Sequence, residues 1–254
     1  MEKAFYQADS PEEAIEIYLS SDDELYGWMK NRIMREILFE IHGKGLWNSE
    51  NVLEVGAGGG QWTDFFVKRG ANVTCVDTCE QILEGNKKLH PKAKFILSDA
   101  TNLKLKQKFT LVFAKDVIEH IPDDKQFLRN MNGHIKNNGL MIINTQNSWS
   151  LNFLIQGGYN FLKGNTNWCG WDQTHVRFYN VASLKRKLES TGFKPIKWFG
   201  SYYFPYRILA DRLGICWDFK FFNFVELLNL YDKFPFSIIG WNIGVVAKKA
   251  SNKG

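Results

Sequence analysis

The residues best placed to bind a ligand begin with a glycine-rich loop in the stretch NVLEVGAGGG, where four of the five residues from Gly56 to Gly60 are glycine. Glycines permit positive φ angles and let a ligand approach the main chain closely, and a following helix offers its N-terminal amides. A dinucleotide-binding fingerprint requires G-x-G-x-x-G, but Gln61 stands where its third glycine would be. The loop therefore indicates a ligand that is recognised by a different glycine spacing.

Carboxylates flank this loop at informative positions. Glu54 lies two residues before Gly56, and Asp77 ends the stretch VTCVD, 21 residues after Gly56. A carboxylate at the end of the second strand can accept hydrogen bonds from both hydroxyls of a ribose. Asp99 and Ala100, in SDATN, follow a third apolar run. The carboxyl ends of parallel strands share one edge of a sheet, so these residues are expected near the same ligand.

As a set, the glycine loop, VDT, SDA and FAKDVIEHIPD resemble the motifs of class I S-adenosylmethionine-dependent methyltransferases. The resemblance runs from about Val52 to Asn144 and more loosely to residue 199. It implies that the glycines line the methionine part of S-adenosylmethionine, that the acid after the second strand holds the ribose, and that SDA faces the adenine. The cofactor residues expected on this basis are Arg35, Glu54, Gly56, Ala57, Gly58, Asp77, Thr78, Asp99, Ala100 and Lys115.

Within that superfamily, KDVIEHIPD is similar to the E-x-x-E-H segment of ubiquinone-biosynthesis O-methyltransferases and their small-molecule relatives. Those quinone enzymes associate a magnesium ion with this motif, which corresponds here to Asp116, Glu119 and His120. The first position is Asp rather than Glu, and relatives without a metal carry the same Glu-His pair. We therefore expect no metal, with these three residues as the ligands if one is bound.

Methyl transfer from a sulfonium requires an in-line nucleophile and exclusion of water more than covalent catalysis. A hydroxyl acceptor also needs a base, for which histidine is the usual side chain. His120 follows the fourth predicted strand, and His175 stands in DQTHVRFYN just before a predicted helix. His175 is the preferred base and His120 the alternative, while capping or packing roles stay open for both.

The elements that must position these residues follow from hydrophobic patterning. Short apolar runs alternate with helix-length segments, which predicts a parallel sheet covered by helices. With the resemblance, this gives an α/β, three-layer Rossmann-like fold with N-terminal helices and a mostly parallel seven-stranded sheet whose last strand is antiparallel. The predicted strands are Val52 to Val55, Val73 to Val76, Phe95 to Leu97, Leu111 to Phe113, Leu140 to Ile143, Phe193 to Phe199 and Trp241 to Ala247.

We expect one domain over 1–254, with an N-terminal helical cap at 1–47 and a cofactor-binding core at 48–147. Two insertions, 148–175 and 200–240, interrupt the alternation and are expected to form lids or substrate-binding segments. Aromatic residues crowd the second insertion. They could cover an aromatic or lipid-like acceptor, lie at a membrane interface, form a dimer face or build a small core of their own.

Composition narrows the partners. The chain has 254 residues and a formal net charge of +5, with lysines scattered rather than concentrated, so a nucleic-acid partner is not favoured. No run of about 18 apolar residues and no signal-peptide pattern occurs, which predicts a soluble cytoplasmic protein without a transmembrane segment. A small-molecule substrate is expected, and both a monomer and a homodimer remain open.

Four functions compete. The preferred one is methyl transfer to oxygen of a small molecule with histidine-assisted deprotonation. The alternatives are methyl transfer to nitrogen, methyl transfer to a sugar or glycan hydroxyl, and a non-catalytic protein that only binds the cofactor. A nicotinamide-dependent oxidoreductase is disfavoured because the third fingerprint glycine is missing.

Overall fold

The fold is known from a computed structural model. It describes residues 8–21, 24–165, 168, 170, 172–203 and 228–250, with the side chains of 17–21 and 24–29 excepted. Most of the predicted aromatic insertion, at 204–227, lies outside the described residues, as does Trp171 of the first insertion.

Helices and strands alternate through the central part of the chain. The helices are α1 (Pro11–Ser21), α2 (Glu24–His42), α3 (Gln61–Lys68), α4 (Glu80–Leu89), α5 (Asp124–His134), α6 (Leu151–Leu162), α7 (Val181–Ser190) and α8 (Phe236–Ile239), with short 3₁₀ turns at Ile118–His120 and Leu230–Asp232. The strands are β1 (Asn51–Val55), β2 (Asn72–Asp77), β3 (Lys94–Leu97), β4 (Phe109–Lys115), β5 (Ile135–Gln146), β6 (Phe193–Ser201) and β7 (Asn242–Lys249).

The strands form one seven-stranded sheet in the order β3-β2-β1-β4-β5-β7-β6. β1 pairs in parallel with both β2 and β4, and β7 pairs antiparallel with β5 and β6. This is the mostly parallel sheet with an antiparallel last strand that the sequence predicted. The direction of winding reverses at β1, so the crevice beyond its carboxyl end is where ligands bind in such folds.

Both faces of the sheet are buried under helices. Alternate residues of a strand point to opposite faces, and β1 shows this directly. Val52 packs in a cluster with Ile37 of α2 and Phe66 of α3. Leu53 packs in a second cluster with Phe127 of α5. The molecule therefore has three layers, and the buried sheet fixes the positions of the strand ends where the candidate site lies.

Several elements differ in extent from the sequence prediction. β5 is twelve residues long and begins directly after α5, although only Leu140 to Ile143 were predicted as strand. The first insertion contains the helix α6, which starts with Ser150 accepting a hydrogen bond from the Phe153 amide at 3.1 Å. Among the described helices, none is both long and apolar enough to cross a bilayer.

Candidate functional site

The glycine loop connects β1 to α3 and is packed tightly against its surroundings. Gly56 has φ +78°, and a Cβ atom there would lie 2.6 Å from Val117 Cγ2. Gly60 has φ +79°, and a Cβ atom there would lie 1.9 Å from Asn86 Oδ1. Any larger residue would be strained and would displace a neighbour. The loop geometry thus depends on both glycines and brings the main chain to the crevice beyond β1.

Asp77, at the end of β2, is hydrogen-bonded to the same loop. Its Oδ2 accepts from the Ala57 amide and its Oδ1 from the Cys79 amide, both at 2.9 Å. Burial raises the pKa of this carboxyl above its usual value, although the backbone amides favour the charged form. The backbone amides of Thr78 and Gly58 also favour the charged form, so four nearby amides share the lone pairs of this carboxylate. The role of Asp77 as a ribose acceptor stays a prediction.

Glu54, near the end of β1, is buried and contacts neighbouring elements of the fold. Its Oε2 accepts a hydrogen bond from Thr63 Oγ1 at 2.7 Å and lies 3.3 Å from Cys75 Sγ. Burial raises its pKa to about 7, so the protonated form is populated near neutral pH. These contacts tie β1 to α3 and β2. Its predicted contact with the cofactor stays a prediction.

The residues expected near the adenine lie at the next strand ends. Asp99 is exposed, and its Oδ1 accepts from the Thr101 amide at 2.7 Å. Ala100 is buried, and its carbonyl accepts from Asn130 Nδ2 at 2.9 Å. Thr78 is exposed directly after β2. All three follow β2 or β3, at the carboxyl edge of the sheet.

Arg35 of α2 is exposed, and its guanidinium carbon lies 5.9 Å from the centre of the Phe65 ring on α3. Its predicted role toward the cofactor carboxylate is not tested by this contact. Lys115 ends β4, and its Nζ lies 3.3 Å from Asp116 Oδ2. The lysine backbone is thus at the strand end, and its side chain pairs with the next residue, while its predicted contact with the cofactor stays a prediction.

Asp116 is engaged by two lysines. Its carboxylate pairs with Lys115 and with buried Lys30 from α2, and its backbone has φ +53°. Burial raises the pKa of Asp116, but the two ammonium groups more than offset this and hold it below the usual value. A magnesium ligand set of Asp116, Glu119 and His120 does not fit this arrangement, since a cation would have to displace two ammonium groups from the carboxylate.

Glu119, His120 and His175 meet at one place. Each contributes a nitrogen or carboxylate oxygen within 4.8 Å of the others, and the two imidazole rings have centroids 4.7 Å apart. Glu119 is completely buried, and neither of its oxygens has a hydrogen-bonding partner among the described residues. Burial, with the charge of Asp116 nearby, raises the Glu119 pKa to about 8. The two histidines that the sequence offered as alternatives therefore form one site.

This cluster contains two imidazoles and one carboxylate. Magnesium prefers an all-oxygen, octahedral set and rarely takes imidazole. The donor chemistry thus departs from the quinone-enzyme motif a second time. We assign no reaction step to a metal.

The segment that carries His175 is attached to the turn that carries His120. The Val176 amide donates to the Glu119 carbonyl at 3.0 Å, and Arg177 Nη1 donates to the Ile121 carbonyl at 2.8 Å. A buried polar network secures its end, where the Tyr179 hydroxyl donates to Asp124 Oδ2 at 2.6 Å.

Sequence reasoning missed Asp124, although its place in the Asp123-Asp124 pair that starts a helix was visible. It also missed Lys30. Nothing in the local sequence distinguishes this lysine, because its partner Asp116 lies far along the chain.

Comparisons with known proteins identify the family of the chain. A family model described as a methyltransferase domain matches residues 27–197, more than half of the chain. A ubiquinone biosynthesis O-methyltransferase from Rickettsia felis is 34% identical over 100 residues, which are 38% of this chain and 41% of that protein. One from Pelagibacter ubique is 28% identical over 142 residues, 54% of this chain and 59% of that protein. The matches thus span less than two thirds of these relatives.

Solved structures share the fold. A methyltransferase structure from Bacillus halodurans has a TM-score of 0.60 and 18% sequence identity, covering 85% of this chain and 98% of that chain. An N-methyltransferase from Bradyrhizobium japonicum, solved with S-adenosyl-L-homocysteine, has a TM-score of 0.56 and 10% identity, covering 95% of this chain and 99% of that chain. At these identities the likeness concerns the fold alone.

Proposed function

The chain belongs to the methyltransferase-domain family whose model it matches, and from that premise we propose that it transfers a methyl group from S-adenosylmethionine to an oxygen of a small-molecule acceptor. The observation that carries the proposal is the joining of Asp77 to the glycine loop through the Ala57 amide. One carboxylate thereby joins the loop to the end of β2, beside the crevice beyond β1, where it would accept hydrogen bonds from a ribose.

The methyl group would point from this crevice toward the end of β4. Glu119 and His120 follow that strand directly, and His175 joins them from a distant segment. The acceptor hydroxyl would be held at this cluster, in line with the sulfur–methyl bond, and one of the two histidines would take its proton. A protonated Glu119, whose side chain is buried, would add a hydrogen-bond donor beside the acceptor.

An apolar acceptor is supported by the first insertion. α6 exposes a row of large apolar side chains and carries no charged residue. A row of this kind suits an aromatic or lipid-like acceptor that reaches the site along the helix, or contact with a membrane interface. The exposed members are Leu151, Leu154, Ile155, Tyr159, Phe161 and Leu162.

Three alternatives remain proposals of lower rank. Nitrogen acceptors and sugar or glycan hydroxyls would use the same cofactor geometry. A non-catalytic protein would bind the cofactor without turnover. Product analysis with each acceptor class separates the first two, and methyl transfer from labelled S-adenosylmethionine separates the third.

Calorimetric titration with S-adenosylmethionine and S-adenosylhomocysteine tests the proposal. Asp77→Ala removes hydrogen bonds to a charged acceptor, so we expect affinity to fall by roughly 10- to 100-fold. The control is Glu189→Ala, which removes an exposed acid of α7 that pairs with Lys185 and should leave affinity unchanged. Absence of binding by the unaltered protein would refute the proposed function.

A further inference from the structure

We propose that Asp172 and Thr174 are positioning residues that fix the tautomer of His120 and make its Nε2 the atom that takes the proton of the acceptor. This assignment rests on the proposed methyl transfer. It also chooses between the two histidines, since the sequence favoured His175.

Three short contacts connect the residues. Thr174 Oγ1 lies 2.6 Å from Asp172 Oδ1, and the Thr174 amide donates to the same oxygen at 2.8 Å. Thr174 Oγ1 also lies 2.8 Å from His120 Nδ1. The backbone turn is closed by the His175 amide, which donates to the Asp172 carbonyl at 3.2 Å. The three side chains thus form a continuous hydrogen-bonded chain that ends at His120.

The direction of each hydrogen bond follows from the number of protons available. An ionised carboxylate can only accept, and Thr174 together with the neighbouring imidazoles keeps the pKa of Asp172 below its usual value despite partial burial. The single hydroxyl proton of Thr174 is therefore committed to Asp172. The threonine oxygen can then only accept from His120, which places a proton on Nδ1. In the neutral ring, the lone pair is consequently on Nε2.

This polarity suits a base. The acceptor oxygen forms a bond to the methyl carbon as the sulfur–methyl bond breaks, which leaves S-adenosylhomocysteine as a neutral thioether. The hydroxyl proton passes to His120 Nε2. The resulting imidazolium keeps its Nδ1–H hydrogen bond to Thr174. The hydroxyl proton of Thr174 points to Asp172, so its oxygen, the negative end of the O–H dipole, faces the ring. The threonine oxygen and the carboxylate behind it, both on exposed residues, stabilise the positive ring.

His175 has a different place in this arrangement. It belongs to the same turn as Thr174, and its ring lies against that of His120 with a centroid separation of 4.7 Å. It is buried, with 7% of its surface exposed. We assign it to the wall that orients the acceptor and the His120 ring.

Nitrogen-15 NMR of the histidine side chains tests the assignment without substrate or cofactor. The labelled protein is treated with EDTA and recorded at a pH where the rings are neutral, and the His120 signals are identified by their loss in His120→Gln. We expect the Nδ1–H tautomer. Thr174→Ser keeps the hydroxyl and should keep this tautomer, whereas Thr174→Val keeps the shape but should shift the ring toward the Nε2–H form.

Asp172→Ala provides an independent arm. Without the carboxylate, the Thr174 hydroxyl is free to donate to Nδ1, so the ring proton should move to Nε2. An Nε2–H tautomer in the unaltered protein, or an unchanged tautomer in both Thr174→Val and Asp172→Ala, would overturn the assignment. Either result would leave the cofactor titration unaffected, so the two proposals fail separately.

Steady-state kinetics add the functional readout. Thr174→Val should lower kcat by on the order of 10-fold or more, with KM for S-adenosylmethionine unchanged, because the base is present but wrongly protonated. Thr174→Ser should restore most of the rate. An equal loss in Thr174→Ser and Thr174→Val would contradict a role for the hydroxyl.

Discussion

The two halves of the candidate site are built in different ways. The cofactor half, consisting of the Gly56–Gly60 loop and Asp77, comes from one strand-loop-helix unit and the strand beside it. The acceptor half, consisting of Glu119, His120 and the segment 172–179, joins side chains that are 54 residues apart, as in the Thr174–His120 contact. In the proposed roles, the first half would bind its ligand through backbone amides and the Asp77 carboxylate, and the second through the side chains of distant segments.

This difference teaches which changes each half tolerates. The loop conformation depends on the positive φ angles of Gly56 and Gly60, which residue type sets locally, and on close packing against Val117 and Asn86. Side-chain recognition in the acceptor half requires that the segment 172–179 packs correctly against the turn after β4. That packing depends on the network around Asp124 and Tyr179. Substitutions can therefore separate cofactor affinity from turnover.

The largest expected effect is the loss of turnover when the proposed general base, His120, is removed. His120→Ala should lower kcat by about 10²- to 10⁴-fold, which is the usual contribution of a general base. Affinity for S-adenosylhomocysteine should stay within a factor of two, since the Asp77 contacts are untouched. Single-turnover kinetics and calorimetry measure the two effects on one preparation.

Asp77→Ala is the mirror control for that division, because it should change affinity far more than the rate at saturating cofactor. A His120→Ala protein that loses cofactor affinity as strongly as Asp77→Ala would show that the two halves are not independent.

The second expected effect is on the pH dependence of stability, through one buried carboxyl group in each half. Glu54 has its pKa raised to about 7 and Glu119 to about 8. A raised pKa in the folded state means that the native protein holds the proton more tightly. The stability contributed by that proton is complete below about pH 4.5 and is lost as pH rises through 7 for Glu54 and through 8 for Glu119.

Glu119→Gln and Glu54→Gln should each flatten this decline, by up to about 3 kcal/mol of unfolding free energy. Glu119→Gln should have the larger effect at pH 8 to 9, because the pKa of Glu119 is raised further, to about 8 against about 7 for Glu54. Urea unfolding across this pH range measures both variants. A stability profile that is identical in Glu119→Gln and in the unaltered protein would contradict the buried, protonated state.

The smallest expected effect concerns the polar network around Asp124, which holds the segment 172–179 against the rest of the fold. Asp124 accepts from Tyr179 and pairs with Lys187 and Arg177, while its side chain is 6% exposed. Asp124→Asn removes the charge that these groups surround and should cost about 2 kcal/mol of stability. It should also lower turnover by loosening the segment that carries His175.

Thermal unfolding and cofactor titration of the same variant check this prediction, with Lys185→Ala as a matched surface control because its partner Glu189 is exposed. Unchanged turnover in Asp124→Asn would mean that the network does not position the acceptor half.

Much of the fold was predictable from sequence because its signals are local. The alternation of apolar runs gave the seven strands, and the resemblance to class I methyltransferases is confirmed by the family match over residues 27–197. Strand lengths were less predictable. β5 continues from Ile135 through polar residues because pairing with β4 and β7 decides its extent, not composition.

The sequence by itself determined the glycine loop between β1 and α3, since the positive φ angles of Gly56 and Gly60 follow from residue type. Only the tertiary structure decided that Asp116 forms ion pairs with Lys30 and Lys115. It also decided that His120 is hydrogen-bonded to Thr174, which is in turn hydrogen-bonded to Asp172. The physical reason is range. A turn is specified by the residues that form it, whereas a charge or a proton is governed by whichever group the folded sheet brings within about 3 Å of it.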